Sequence, residues 1–118
     1  MEKKEYYFLP LTGCFERLSE CLETRKVVKA YIKDKVNDEE AWNLDLMTLL
    51  CEYYSINSRY TELINDLILT PPSVDADTDE ETVTVDAHIY DILHSYSKLM
   101  LVNELELKYK HGVHLLIQ

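Results

Sequence analysis

Apolar and aromatic residues recur through the middle of the chain at alternating steps of four and three. The eight positions are Trp42, Leu46, Leu49, Tyr53, Ile56, Tyr60, Leu63 and Leu67. A β-strand turns every second side chain to one face and does not generate this series, whereas an α-helix does. The series keeps its phase through residues 55–58, although Ser and Asn in that stretch favour caps and turns. The sequence therefore predicts a single helix over residues 38–69, about 45 Å long at 1.5 Å per residue.

Two further helices are predicted, one on each side of this central helix. Residues 13–36 and residues 83–110 both repeat apolar side chains at steps of three and four. The predicted fold is therefore all-α, an elongated three-helix bundle in a single domain over residues 1–118. Short extended segments are expected at both termini, and residues 70–81 are expected to form an acidic loop.

Two short stretches fit a strand as well as a helix. Thr82–Val85 alternates with the period of a strand, and so does the stretch 104–110, where His111-Gly112 would turn a hairpin. Strong helix formers in 104–110, and basic residues just before a glycine, favour the helix there. The tail that follows, Val113–Ile117, can then pair with the extended segment Tyr6–Leu9.

Glycine is scarce, since only Gly13 and Gly112 occur in the 118 residues. An all-β domain needs many tight turns, so this scarcity argues against one. The phosphate-binding patterns GxGxxG, GxxxxGKS and GxxxxGKT each need glycines at spacings that these two do not provide.

Charge is unevenly distributed along the chain. Residues 36–97 hold fourteen acidic residues and one base, a net of −13, whereas residues 1–35 carry +2 and residues 98–118 carry +1, which sums to −10. A field of this sign repels phosphates and anionic lipids and attracts basic surfaces. We therefore expect no direct contact with nucleic acid or membrane, and a basic protein is one expected partner.

Three cysteines, Cys14, Cys21 and Cys51, form an odd set. An odd number of cysteines in a chain long enough to build a core is typical of reduced, buried thiols in a reducing compartment. No apolar run approaches the roughly 20 residues that span a bilayer, and no secretory signal is visible at the start. The sequence thus predicts a soluble, cytoplasmic protein.

The acidic loop partly matches the ligand spacing of a calcium-binding EF-hand. Acids occupy the first, third, fifth, seventh and twelfth positions of the frame, at Asp75, Asp77, Asp79, Glu81 and Asp86. The sixth position requires glycine and holds Glu80, and the twelfth is an aspartate where a longer glutamate is usual. Cysteines and histidines also lack the spacing of a zinc site. The sequence predicts no metal and no cofactor, with a small calcium-responsive module as an alternative.

No residue pattern predicts catalysis. A nucleophile elbow is absent from the sequence, and no spacing of acids indicates a paired-carboxylate site. We expect that the chain is not an enzyme.

The central stripe has two interpretations, as the core face of the bundle or as an interface. Heptad spacing is typical of oligomer seams, and tyrosine hydroxyls need partners when they are buried. The residues predicted to form a partner or oligomer interface are Trp42, Leu49, Tyr53, Ile56, Tyr60 and Leu63. The residues predicted to form an acidic surface are Asp75, Asp77, Asp79, Glu80 and Glu81.

The last helix is predicted to be apolar on two sides. Leu101, Val102, Leu105 and Tyr109 point away from the row of apolar residues that runs from Val85 to Leu99. Such a helix lies in the centre of a fold or docks a partner. The predicted function is that of a non-enzymatic protein-binding module, acting as adaptor, assembly subunit or inhibitor, with homo-oligomerisation as a further expectation. An acidic inhibitor that mimics nucleic acid is the main alternative.

Overall fold

The computed structural model of this chain describes residues 5–38, 43–74 and 80–115. Three helices dominate: α1 (Leu11–Val36), α2 (Leu44–Leu69) and α3 (Ala87–His111). Three strands accompany them: β1 (Tyr6–Pro10), β2 (Ser73–Val74) and β3 (Glu81–Asp86). The chain is mostly helical, as the sequence predicts, and it also contains a small sheet that is not part of the predicted fold.

The central helix is continuous through the serine- and asparagine-containing stretch, as predicted. The Ser58 hydroxyl donates a hydrogen bond to the Tyr54 carbonyl at 2.8 Å, so it is satisfied within the helix instead of breaking it. The predicted start at residue 38 is wrong, because α2 begins at Leu44. The side chain of Asn43 caps this end by accepting from the Leu46 N–H at 3.1 Å.

The last helix begins at Ala87 instead of residue 83, because residues 81–86 form β3. The Asp86 carboxylate caps α3 by accepting from the Ile89 N–H at 2.9 Å. Gly112 ends the helix with φ of 67°, a left-handed conformation that glycine adopts without strain. Helix is therefore the correct interpretation of 104–110, and the hairpin alternative is wrong.

An antiparallel sheet of order β1-β3-β2 packs against the helices. Tyr7 pairs with Val85 and Leu9 with Val83, and both valines are buried. The sheet corrects the prediction of a purely helical bundle with strands only at the termini, because β3 lies between α2 and α3. The described part of the tail, residues 113–115, is not in a strand, so the predicted pairing with β1 is not formed there, and residues 116 and 117 lie outside the described residues.

The three helices form an open layer with α2 in the centre. Helices α1 and α3 each pack against α2, but no Cα atom of α1 lies within 8 Å of one in α3, so these two helices are not close-packed against each other. The molecule measures 58 × 31 × 22 Å. Its radius of gyration of 17.2 Å exceeds the roughly 13.5 Å of a compact domain of this length. Within the described residues, no helix is both long enough and apolar enough to span a membrane.

Candidate functional site

The outer face of α3 exposes a row of large apolar side chains. Leu101, Val102, Leu105 and Tyr109 are between 43 and 76 % exposed, whereas Met100, Asn103 and Leu107 on the opposite side of the helix are buried. The row lies at helical steps of three and four, so it forms one continuous surface about 12 Å long. We call these four residues the α3 face. The sequence predicts that these residues point away from the row that runs from Val85 to Leu99. The buried side of α3 is formed instead by Leu93, Met100, Asn103 and Leu107, and Leu99 is 49 % exposed.

Basic side chains lie beside the α3 face. Lys108 Nζ lies 5.4 Å from the centre of the Tyr109 ring, in the range of a cation–π contact. Lys110 forms an ion pair with Glu106 at 3.6 Å, one turn away on the same helix. Lysine stems cover apolar surface while their charge stays in water, which suits the rim of a contact surface.

A groove adjoins the α3 face where the tail folds back beside the helix. The Val113 N–H donates to the Leu107 carbonyl at 3.0 Å, which holds the start of the tail. The groove has a volume of about 330 Å³ and is lined by Leu101, Glu104, Leu105, Lys108, Val113, His114 and Leu115. The sequence does not reveal this groove, because no pattern in the tail indicates which side of α3 it packs against.

The described residues of the central stripe lie in the core or pack against it. Leu49, Tyr53 and Tyr60 are buried, with Tyr53 only 2 % exposed, and Ile56 and Leu63 are half-buried. Trp42, the sixth predicted interface residue, lies outside the described residues. A partner would not reach these side chains in this conformation, so the positions match the interpretation as a core face. Their predicted role as an interface stays a prediction.

Polar side chains tie α2 to both of its neighbours. The Tyr53 hydroxyl donates to Glu104 Oε1 on α3 at 2.7 Å, and the Asn57 side-chain amide donates to the Cys21 carbonyl on α1 at 3.0 Å. Burial raises the pKa of Tyr53, and the neighbouring Glu104 carboxylate raises it further. The phenol therefore remains a hydrogen-bond donor at neutral pH.

Arg17 lies against the other tyrosine of the stripe. Its Nε donates to the Tyr60 hydroxyl at 3.4 Å, and its Cζ lies 5.3 Å from the centre of the Tyr60 ring. Burial alone would lower the pKa of Arg17, but the contacts with Tyr60 and with Glu20 raise it above its usual value. The guanidinium thus stays charged and helps to join α1 to α2.

A cleft of about 460 Å³ opens between α1 and α3, with Tyr53 among its lining residues. Its charged side chains include Arg17, Glu20 and Glu104, and each has a partner within the chain. Among the described residues, no three His, Cys, Asp or Glu side chains are placed to share a metal ion.

Only part of the predicted acidic surface is described. Asp75, Asp77 and Asp79 lie outside the described residues, whereas Glu80 and Glu81 are exposed. Asp86, the last position of the calcium frame, caps α3 instead.

The three cysteines differ in burial. Cys14 and Cys21 are buried as predicted, but Cys51 is exposed, which corrects the prediction of three buried thiols.

A pair of exposed aromatic side chains lies on the sheet. Tyr6 and Phe8 are more than half exposed and point to the face of β1 that is turned away from Tyr7 and Leu9. A contact between His111 and Asp45 at 2.6 Å joins the end of α3 to the start of α2.

Comparison with models of known protein families, with curated proteins and with solved structures gave no match to this chain.

Proposed function

We propose that this chain is a protein-binding module that docks its partner on the α3 face. The observation that carries the proposal is the continuous exposed row of Leu101, Val102, Leu105 and Tyr109, on a helix whose opposite side is already buried against α2. A helix that is apolar on two sides, with one side covered by the chain itself, has a second side for another molecule.

The energetics of burial support this use of the α3 face. A leucine or valine side chain contributes roughly 1.5–3 kcal/mol when it passes from full exposure to full burial. The four side chains are about half exposed, so covering them contributes roughly 4 kcal/mol before the costs of association are subtracted. Exposed leucine and tyrosine side chains with charged lysine ends beside them also suit a contact surface that has an apolar core and a polar rim.

The function proposed here is that of an adaptor, an assembly subunit or an inhibitor without catalysis of its own. The nucleic-acid mimic has weaker support. The exposed acids of α2, at positions 45, 52, 62 and 66, are spread over roughly 31 Å of helix. A DNA duplex carries a charge about every 1.7 Å along its axis. Four carboxylates therefore reproduce only a small part of such a charge array.

Capture by the immobilised chain tests the proposal. Proteins retained by the parent are identified and then measured against the double variant Leu101→Glu/Leu105→Glu. Two carboxylates in the centre of the contact should abolish retention, because each would be buried without a partner. The control is Leu69→Glu, which places one such carboxylate on an exposed leucine at the C-terminal end of α2.

Circular dichroism and thermal unfolding establish that both variants fold. Partners that bind the double variant and the parent equally would show that the α3 face is not the binding surface.

A further inference from the structure

We propose that the partner on the α3 face is a second copy of this chain, bound in antiparallel orientation with the two α3 helices crossing at Leu105. This inference rests on the proposed function, since it identifies the occupant of the same face. Three properties of the molecule support it: the charge of the segment, the symmetry of the face and the area left exposed.

Charge permits self-association at this part of the surface. Residues 36–97 carry a net charge of −13, so two copies that met there would repel each other strongly. Residues 98–118 carry +1, with Lys98 and Lys108 near the α3 face. A second copy can therefore approach this helix with its acidic regions directed away. A basic partner, by contrast, would be attracted to the acidic regions and not to the α3 face.

The α3 face is suited to pairing with itself about a two-fold axis. Leu105 is the midpoint between Leu101 and Tyr109, so an antiparallel crossing at Leu105 overlaps the whole apolar row with itself. Leu105 then meets Leu105 of the second copy. Tyr109 lies over Val102 of the second copy, and the stem of Lys108 lies over Leu101 of the second copy.

The groove beside the face adds to this contact. Leu101, Leu105 and Lys108 belong both to the α3 face or its rim and to the lining of the groove. Leu101 and Lys108 lie on the flank of α3 that borders the groove. In the antiparallel pair this flank faces the same flank of the second copy. The groove of one copy is therefore covered by Leu101 and Lys108 of the other. Each copy both supplies and receives the contact, as an isologous interface requires.

The exposed area of the chain leaves room for an interface of standard size. The accessible surface is 8393 Å², compared with about 6,700 Å² for a compact monomer of 13.9 kDa. Stable interfaces bury about 800 Å² on each partner. This excess is spread over the whole elongated molecule, and the α3 face with the groove beside it is the part of it that α3 contributes.

The solution mass of the parent chain is the first test. Light scattering after size exclusion should give twice the 13.9 kDa of the chain at micromolar concentration. Leu105→Glu should weaken the dimer by roughly 100-fold or more, because it places two like charges opposite each other at the crossing point. Leu69→Glu and Phe8→Glu, which change exposed apolar residues elsewhere, should remain dimeric. A dimer that Leu105→Glu leaves intact, or that Phe8→Glu disrupts, would overturn the inference.

Opposite charges at the crossing point supply a second, more specific test. Leu105→Glu and Leu105→Lys should each be monomeric, and an equimolar mixture should form a heterodimer that contains one copy of each. Only a geometry in which position 105 meets itself gives this rescue. Leu105 is 43 % exposed, so both variants should keep the helical circular dichroism of the parent. Absence of a heterodimer in the mixture would show that the two copies do not cross there.

The outcomes separate this inference from the proposed function. A parent chain that is monomeric at every concentration overturns self-association. If Leu101→Glu/Leu105→Glu still loses retention of a captured protein, the α3 face remains a docking surface for a different partner. If neither effect is seen, both proposals fail.

Discussion

At the scale of single residues, buried polar groups explain why the tyrosines of the central stripe are compatible with a core. Tyrosine hydroxyls need partners when they are buried, and this requirement favours an interface when only the sequence is considered. The structure supplies those partners inside the chain: Glu104 accepts from Tyr53, and Arg17 donates to Tyr60. Both partners lie more than forty positions away along the chain. A pattern of local spacing does not reveal contacts of that range.

Thiol reactivity should distinguish Cys51 from Cys14 and Cys21. Burial raises the pKa of the Cys14 and Cys21 thiols, and burial also blocks access of a reagent. Cys51 is exposed on α2. With an aromatic disulfide reagent at neutral pH, one thiol should react in a fast phase, and the other two should react roughly 100-fold more slowly. All three should react rapidly after unfolding.

Two controls assign the fast phase. Cys51→Ser should remove it entirely, and Cys14→Ala should leave it unchanged. A native chain in which all three thiols react at one rate would contradict the buried positions of Cys14 and Cys21.

At the scale of elements, the helices were predictable and the sheet was not. Heptad spacing predicted a continuous α2, because each apolar residue of that pattern follows from helix geometry alone. The stretch Thr82–Val85 alternates and fits either a strand or the first turn of a helix. Its strand conformation depends on pairing with β1, about seventy-five residues earlier in the chain. The predicted start of α2 is too early, because the sequence offers two equally good capping residues, Asp38 and Asn43, and Asn43 forms the observed cap.

Part of the candidate site is predictable from the sequence and part of it is not. Helical spacing alone indicated that Leu101, Val102, Leu105 and Tyr109 share a face. That this face is exposed depends on α2 being the only helix that packs against α3, with α1 lying away from it. No sequence pattern specifies which pairs of helices in a layer come into contact.

Proline substitution should test the continuity of α2. Ser58→Pro should destabilise the chain by about 3 kcal/mol or more, because proline in a helix interior removes a hydrogen bond and clashes with the preceding turn. The matched control is Leu44→Pro. Leu44 is the first residue of the same helix and is exposed, and proline is tolerated at that position. Urea unfolding followed by circular dichroism measures both variants. Equal stability of Ser58→Pro and the parent would mean that the helix is interrupted near that residue.

At the scale of the whole molecule, the open layer of helices explains both the shape and the exposed surface. In a closed bundle every helix covers the other two, but here α1 and α3 are separated, and α2 alone packs against both. The result is an elongated chain that leaves much of α3 uncovered. The net charge of −10 works against self-association through long-range repulsion, while the α3 face favours it through short-range burial. Salt acts on the first effect and hardly on the second.

Salt should therefore strengthen the proposed dimer. Two charges of −10 with centres about 30 Å apart repel by roughly 1–2 kcal/mol at ~50 mM salt, and this repulsion nearly disappears at ~500 mM. We expect dimer affinity, measured by sedimentation equilibrium, to rise roughly tenfold over that range.

A variant with Asp75, Asp77 and Asp79 changed to Asn, and Glu80 and Glu81 changed to Gln, carries five fewer acids and a net charge of −5. Repulsion scales with the product of the two charges, so the variant should keep about a quarter of it, dimerise more tightly at low salt and respond less to added salt.

An association made through the acidic residues themselves, as the nucleic-acid mimic requires, would respond in the opposite direction to both changes. Salt would weaken that association with a basic partner, and the five substitutions would weaken it further. Because the two mechanisms differ in sign and not only in size, a dimer that weakens as salt rises would contradict docking through the α3 face.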